Sequence, residues 1–123
     1  MTPPAICIKD LEKSYNGTRA LNGVSLEIGD GQFFGLLGPN GAGKTTTINI
    51  LSGLVLKDSG KTEVFGRETV KEYRITRAKI GIAAQELSQD WFFPIEKLLY
   101  FQAGYYGLSA TKAKPRIDDL FER

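Results

Sequence analysis

An α/β fold is predicted by three consecutive features of the 123-residue sequence. Gln32-Phe33-Phe34-Gly35-Leu36-Leu37 is an apolar run short enough for a buried strand. Gly38-Pro39-Asn40-Gly41-Ala42-Gly43-Lys44-Thr45-Thr46 follows it with the spacing of a phosphate-binding P-loop: glycine, four residues, glycine, lysine and a hydroxyl. Thr47-Ile48-Asn49-Ile50-Leu51 then carries apolar residues that suit one face of a helix. A glycine-rich turn that merely caps a helix is the competing reading. The strand before and the helix after are the context a P-loop requires, and they favour a P-loop NTPase core.

The motif explains its own chemistry. Glycine adopts backbone angles that turn successive amides inward and lets the chain approach a phosphate oxygen closely. Helix amides around Lys44 and Thr45 have no internal partner and point at the same oxygens, with the positive end of the helix dipole behind them. Lys44 is expected to meet the terminal phosphates, Thr45 to coordinate magnesium and Thr46 to donate to phosphate.

In chain order, Ala5-Ile6-Cys7-Ile8 reads as a first strand that Leu11 to Tyr15 extends. Asn16-Gly17 is a hairpin signal, after which residues 18–28 form a second strand with a kink at Asn22-Gly23. Gly29-Asp30-Gly31 turns the chain toward the P-loop strand. The P-loop helix is expected to stop near Gly53, a C-cap glycine. Lys57-Asp58-Ser59-Gly60 reads as a turn, residues 61–66 as a short strand, residues 70–79 as a polar helix or turn, and Ile80-Gly81-Ile82-Ala83-Ala84 as another buried strand. Pro94 to Tyr105 has helical spacing with proline at the first position. Ser109 is a candidate cap for a last helix to Glu122. An internal Pro115 costs about 3 kcal/mol, which favours a start near Lys114 instead.

Composition bounds the rest. The length fits one domain, possibly incomplete. A net charge of +2, with ten lysines and six arginines scattered along the chain, gives no reason to expect a nucleic-acid partner. The single Cys7 suggests a reducing compartment and a buried position. Met1-Thr2-Pro3-Pro4 does not read as a signal peptide, and no apolar run approaches the roughly 20 residues that cross a bilayer.

Other chemical residues are few. Tyr15, at the end of the first strand, offers an aromatic face to a purine ring, although packing is the commoner role of such a residue. Gln85, at the end of the run 80–84, offers its amide oxygen to magnesium or to an attacking water if it reaches the γ-phosphate side of the loop, although a solvated glutamine is the commoner role at a strand end. Asp118-Asp119 and Glu86 are the carboxylate candidates for metal or base. The pair does not end a buried strand, and Glu86 reads as a solvated neighbour of Gln85. The chain has no histidine. The parts that position phosphate are present, and an acidic strand end for magnesium is not found.

Taken together, the P-loop residues 38–46, the segments Leu11-Glu12-Lys13-Ser14-Tyr15 and Ala20-Leu21-Asn22-Gly23-Val24-Ser25, and the stretch from Ser59-Gly60 through Val64-Phe65-Gly66 to Ile80-Gly81-Ile82 and Gln85-Glu86 resemble the ATP-binding subunit of an ABC transporter. The resemblance covers essentially the whole chain. It implies an ABC ATPase-like core with an amino-terminal antiparallel β unit, adenine stacking by Tyr15, and a Q-loop in which Gln85 touches magnesium and signals to a membrane-spanning permease. Phe101-Gln102-Ala103-Gly104-Tyr105-Tyr106-Gly107 looks most like subunits of ABC-2 type exporters. The signature loop, the acidic Walker B strand end with its catalytic glutamate and the switch histidine have no match; Leu51-Ser52-Gly53-Leu54 imitates the signature's start but lies on the P-loop helix. In the family these parts lie further along.

The resemblance therefore implies a truncated amino-terminal part of the domain, with residues 1–93 as β unit and P-loop core and 94–123 as the start of a helical subdomain. ATP and Mg2+ are the expected cofactors. A permease and a second ATP-binding subunit are the expected partners, which makes the location cytoplasmic and peripheral at the inner face of a membrane. Catalysis is expected to be incomplete in this chain, with Lys44 stabilising the transition state and Gln85 serving water or coupling. A noncatalytic fragment that binds a permease or partner subunit, and an ABC-type ATPase outside transport, are the alternatives.

Overall fold

A computed structural model describes residues 2–84 and 92–123 of the chain, which divides into two compact units, Met1–Ile82 and Ala83–Arg123. In the first unit, β1 (Ile6–Tyr15) and β2 (Thr18–Ile28) form the expected hairpin. Asn16 at φ 47° and Gly17 at φ 81° make its turn, the left-handed pair that matches strand twist. Pairing shifts register near Leu11 and Ser14, and Gly23 takes φ 73° at the expected kink.

β3 (Ser59–Val64) lies antiparallel to the other side of β1, and the two-residue β4 (Arg67–Glu68) pairs with β3, giving the order β2-β1-β3-β4. This strand is displaced from its predicted bounds. It starts at Ser59, within the expected turn, and stops before Phe65 and Gly66, whose φ of 47° and 74° turn the chain into β4. Gly60 explains the early start: at φ 90°, an added Cβ would lie 2.3 Å from the Asp10 carbonyl oxygen, so only glycine lets the strand close on β1 here.

Helix α1 (Lys44–Ser52) follows the P-loop and stops at Gly53, φ 80°, whose amide bonds back to the Asn49 and Ile50 carbonyls as a C-cap glycine should. It packs Ile50 onto Ile8, Leu11 and Leu21 of the hairpin, with Leu51, Val55, Ile6, Val24 and Leu26 around them. Ile48, expected on the same face, is instead exposed. Cys7 is buried and free, as expected. Of the polar stretch 70–79, only Tyr73–Arg77 is helical (α2), and Arg77 donates to the Gly53 carbonyl at 3.2 Å, tying α2 to the end of α1.

Two expected strands are corrected. Residues 32–37 lead into the P-loop but join no sheet among the described residues, and Phe33 and Leu37 stand in solvent. Residues 80–84 likewise form no strand, and Ile82 is exposed. Both runs have the composition of strands covered on two faces, and such a strand is held by ladders to its neighbours. Among the described residues the sheet consists of β1 to β4, and neither run finds a ladder there.

In the second unit, α3 (Ile95–Tyr105) begins after Pro94, which serves as N-cap, one position before its predicted place. Phe93 meets Phe101 edge to face at 5.5 Å. The last helix, α4 (Ala110–Glu122), starts at Ser109, whose hydroxyl accepts from the Lys112 amide, and runs through Pro115, so the expected start near Lys114 is corrected. Pro115 forgoes one intrahelical bond. The cap, the burial of Ala113 and Ile117, and the Lys114–Asp118 and Asp119–Arg123 pairs one turn apart offset that loss.

Candidate functional site

The P-loop is shaped by local rules. Gly41 and Gly43 hold φ of 85° and 90°, and the Ala42 amide closes a turn onto the Pro39 carbonyl at 3.2 Å. Gly43 is also the N-cap of α1, and its carbonyl accepts both the amide and the hydroxyl of Thr47 at 2.9 Å. The first intrahelical bond is thus donated by Thr47. The amides of Lys44, Thr45 and Thr46 are left to face the loop, and no acidic side chain in the first turn offsets the positive end of the helix.

The position of Gly43 is fixed by the hairpin beneath it. A Cβ there would lie 2.4 Å from Leu21 Cδ2 and 2.9 Å from the Ala20 carbonyl oxygen. Leu21 is therefore both a core residue and the floor of the loop. Lys44 reaches back across the loop and donates from Nζ to the Gly38 carbonyl.

These elements enclose a cavity of about 380 Å³ lined by Tyr15, Ala20, Asn40, Gly41, Gly43, Lys44, Thr45 and Thr46. The hairpin thus brings Tyr15, at the end of β1, to the same cavity as the loop, with its ring partly exposed and the Lys13 ammonium 5.2 Å from the ring centroid. Gly38, Pro39 and Ala42 frame the loop without lining the cavity. Gln85 and Glu86 lie outside the described residues. Asp118 and Asp119 belong to α4, where Asp118 pairs with Lys114 and Asp119 with Arg123, the residue that caps the helix's end.

The donor set fits a nucleotide phosphate with magnesium. Inward amides, one ammonium and a glycine hinge that admits no side chain make a cradle for an anion. Among the described residues no group of three His, Cys, Asp or Glu is placed to hold a metal. A magnesium ion brought by the nucleotide would keep waters and take phosphate oxygens, and the Thr45 hydroxyl at the cavity wall is the side chain that would hold it. A second groove of about 330 Å³ lies between the end of α1 and α2, lined by Ile50, Val55, Thr69, Tyr73 and Arg77 among others. Its two cations are already committed, Arg77 to the Gly53 carbonyl and Lys57 to the Glu68 carboxylate and the Gly60 carbonyl.

Sequence reasoning overlooked Ala20 and Leu21 as parts of the site. Ala20 carries no signal. Leu21 showed only as an apolar strand residue, and its place under Gly43 follows from the pairing of β2 with β1.

Residues 21–122 match the family model described as ABC transporter. The chain is 37% identical over its full length to the daunorubicin resistance ATP-binding protein DrrA3 of Streptomyces coeruleorubidus, covering 39% of that protein. It is 34% identical over 99% of its length to the Nod factor export ATP-binding protein I of Paraburkholderia xenovorans, covering 40% of it. It is 40% identical over 93% of its length to the linearmycin resistance ATP-binding protein LnrL of Bacillus subtilis, covering 37% of it. The chain thus spans about two fifths of the length of these relatives. Among solved structures, an ATP-binding subunit of an ABC transporter superposes with a TM-score of 0.77 at 27% identity, over 87% of this chain and 45% of that one. The cbiO1 protein of Clostridium perfringens, part of the ABC transporter complex cbiONQ, superposes with a TM-score of 0.78 at 25% identity, over 98% and 50%.

Proposed function

This chain belongs to the ABC transporter family, and we propose that it forms the nucleotide-cradling part of an ATP-binding subunit that couples MgATP binding and hydrolysis to export through a membrane permease. The observation that carries the reading is the single cavity shared by Tyr15 and the P-loop residues Asn40, Gly41, Gly43, Lys44, Thr45 and Thr46. In this reading the adenine stacks on Tyr15 and the phosphates lie on the inward amides of residues 38–46. Lys44 exchanges its bond to the Gly38 carbonyl for one to the terminal phosphates, and Thr45 holds magnesium. Magnesium, when bound with the nucleotide, neutralises phosphate charge. Gln85 serves as the link to the permease, and residues 94–123 as the start of the helical subdomain. Export is the direction because relatives are named for drug resistance and Nod factor export.

The second wall of the site comes from a partner subunit, as the family resemblance implies, so the chain by itself binds nucleotide weakly and does not turn it over. Titration of a fluorescent ATP analogue into the chain and its Lys44→Ala variant tests this. Loss of binding in the variant is expected, and equal binding by both removes Lys44 from the account. A noncatalytic role, in which the chain binds a permease or partner subunit without turning nucleotide over, is the second reading. Capture of a permease that is indifferent to ATP would favour that role.

A further inference from the structure

Tyr15 ends β1 and lies beside a two-residue turn, a place where a side chain has little to hold it. The neighbouring turn at residues 57–60 supplies the hold. Asp58 accepts from the Ser14 amide at 2.7 Å through one carboxylate oxygen and from Lys13 Nζ at 2.9 Å through the other. Its own amide donates to the Glu12 carbonyl at 3.0 Å, and the next residue, Ser59, donates its hydroxyl to the Glu12 carboxylate at 3.0 Å. Gly60 presses against the Asp10 backbone with no room for a Cβ, which fixes the turn against β1. The Lys13 ammonium, itself 5.2 Å from the Tyr15 ring centroid, is thereby pinned as well.

We infer that Asp58 is a positioning residue for nucleotide recognition, holding the backbone and the cation next to Tyr15 so that the ring presents a fixed face to the base. The inference rests on the proposed stacking of adenine on Tyr15. Asp58 does not line the P-loop cavity, so its effect reaches the base end of the ligand through residues 13–15 and leaves the phosphate end alone.

The test compares ATP with inorganic triphosphate, each with magnesium, binding to the full chain. Stacking on an aromatic side chain is worth enough that a misplaced ring weakens ATP about fivefold or more. Asp58→Ala is therefore expected to weaken ATP by that factor and leave triphosphate unchanged, and to add nothing in a Tyr15→Ala background. Asp58→Asn, which keeps an acceptor for the Ser14 amide, is expected to fall between wild type and Asp58→Ala, and it carries the test should the alanine variant fail to fold. Unchanged ATP affinity, equal loss of both ligands, or full additivity with Tyr15→Ala overturns the inference while nucleotide binding stands. Failure of the wild-type chain to bind either ligand overturns the reading it rests on and the inference with it.

Discussion

The two flanks of the P-loop are built on opposite terms. The helix leaving the loop is anchored: α1 sets Ile50 on Ile8, Leu11 and Leu21, and Leu21 also forms the floor under Gly43. The run leading into the loop, residues 32–37, is no less apolar in sequence yet joins no ladder and exposes Phe33 and Leu37. The loop's shape therefore depends on its exit and on the hairpin below. In the proposed function the amides of Lys44, Thr45 and Thr46 meet the phosphates beside those of the loop itself, and the anchored helix and the Gly43 close approach hold both sets in place.

Leucine-to-alanine substitutions in the core under the loop and in the run before it separate the two flanks. Leu11 is 0% exposed and Leu37 93% exposed. Leu11→Ala is expected to destabilise the chain by about 2–5 kcal/mol, the range for emptying a core site, as read from urea unfolding. A smaller effect comes from acid. The Lys13 ammonium, and then the Ser14 amide, hold the Asp58 carboxyl below its ordinary value of 3.8. A carboxylate depressed in the folded state adds stability above that ordinary value, and the addition is lost as pH falls through the lower folded value. The unfolding midpoint of wild type should therefore drop below about pH 4 more steeply than that of Asp58→Ala. Leu37→Ala should be the smallest change, within about 0.5 kcal/mol of wild type in the same urea experiment. A loss at Leu37 as large as at Leu11 would mean that residues 32–37 are packed after all.

Local chemistry was the legible part. Asn16-Gly17 marked the hairpin turn, Gly53 the end of α1, and the spacing of residues 38–46 the loop, because each signal is carried by a few adjacent residues. What escaped was long-range. Periodicity identified a strand near residue 61 and could not say that β3 would pair with β1. Phe65 in the left-handed region ran against the preference of a bulky side chain, and the turn into β4 imposed it. Pro115 argued for a late start to α4, and the Ser109 cap with the burial of Ala113 and Ile117 outweighed it. At the site, Tyr15 reached the loop only through the hairpin, and Asp58 read as an ordinary turn residue because its partners are 44 and 45 positions away.

Amide hydrogen exchange of the chain, with and without MgATP, reads the anchored flank, the exposed flank and the loop amides in one experiment. Slow exchange is expected at Ile8, Leu11 and Leu21, fast exchange at residues 33–37, and slowing at Lys44, Thr45 and Thr46 on addition of MgATP, with that slowing absent in Lys44→Ala. Unchanged exchange at residues 44–46 in saturating MgATP, or the same slowing in the variant, would contradict the proposed cradling of phosphate by these amides.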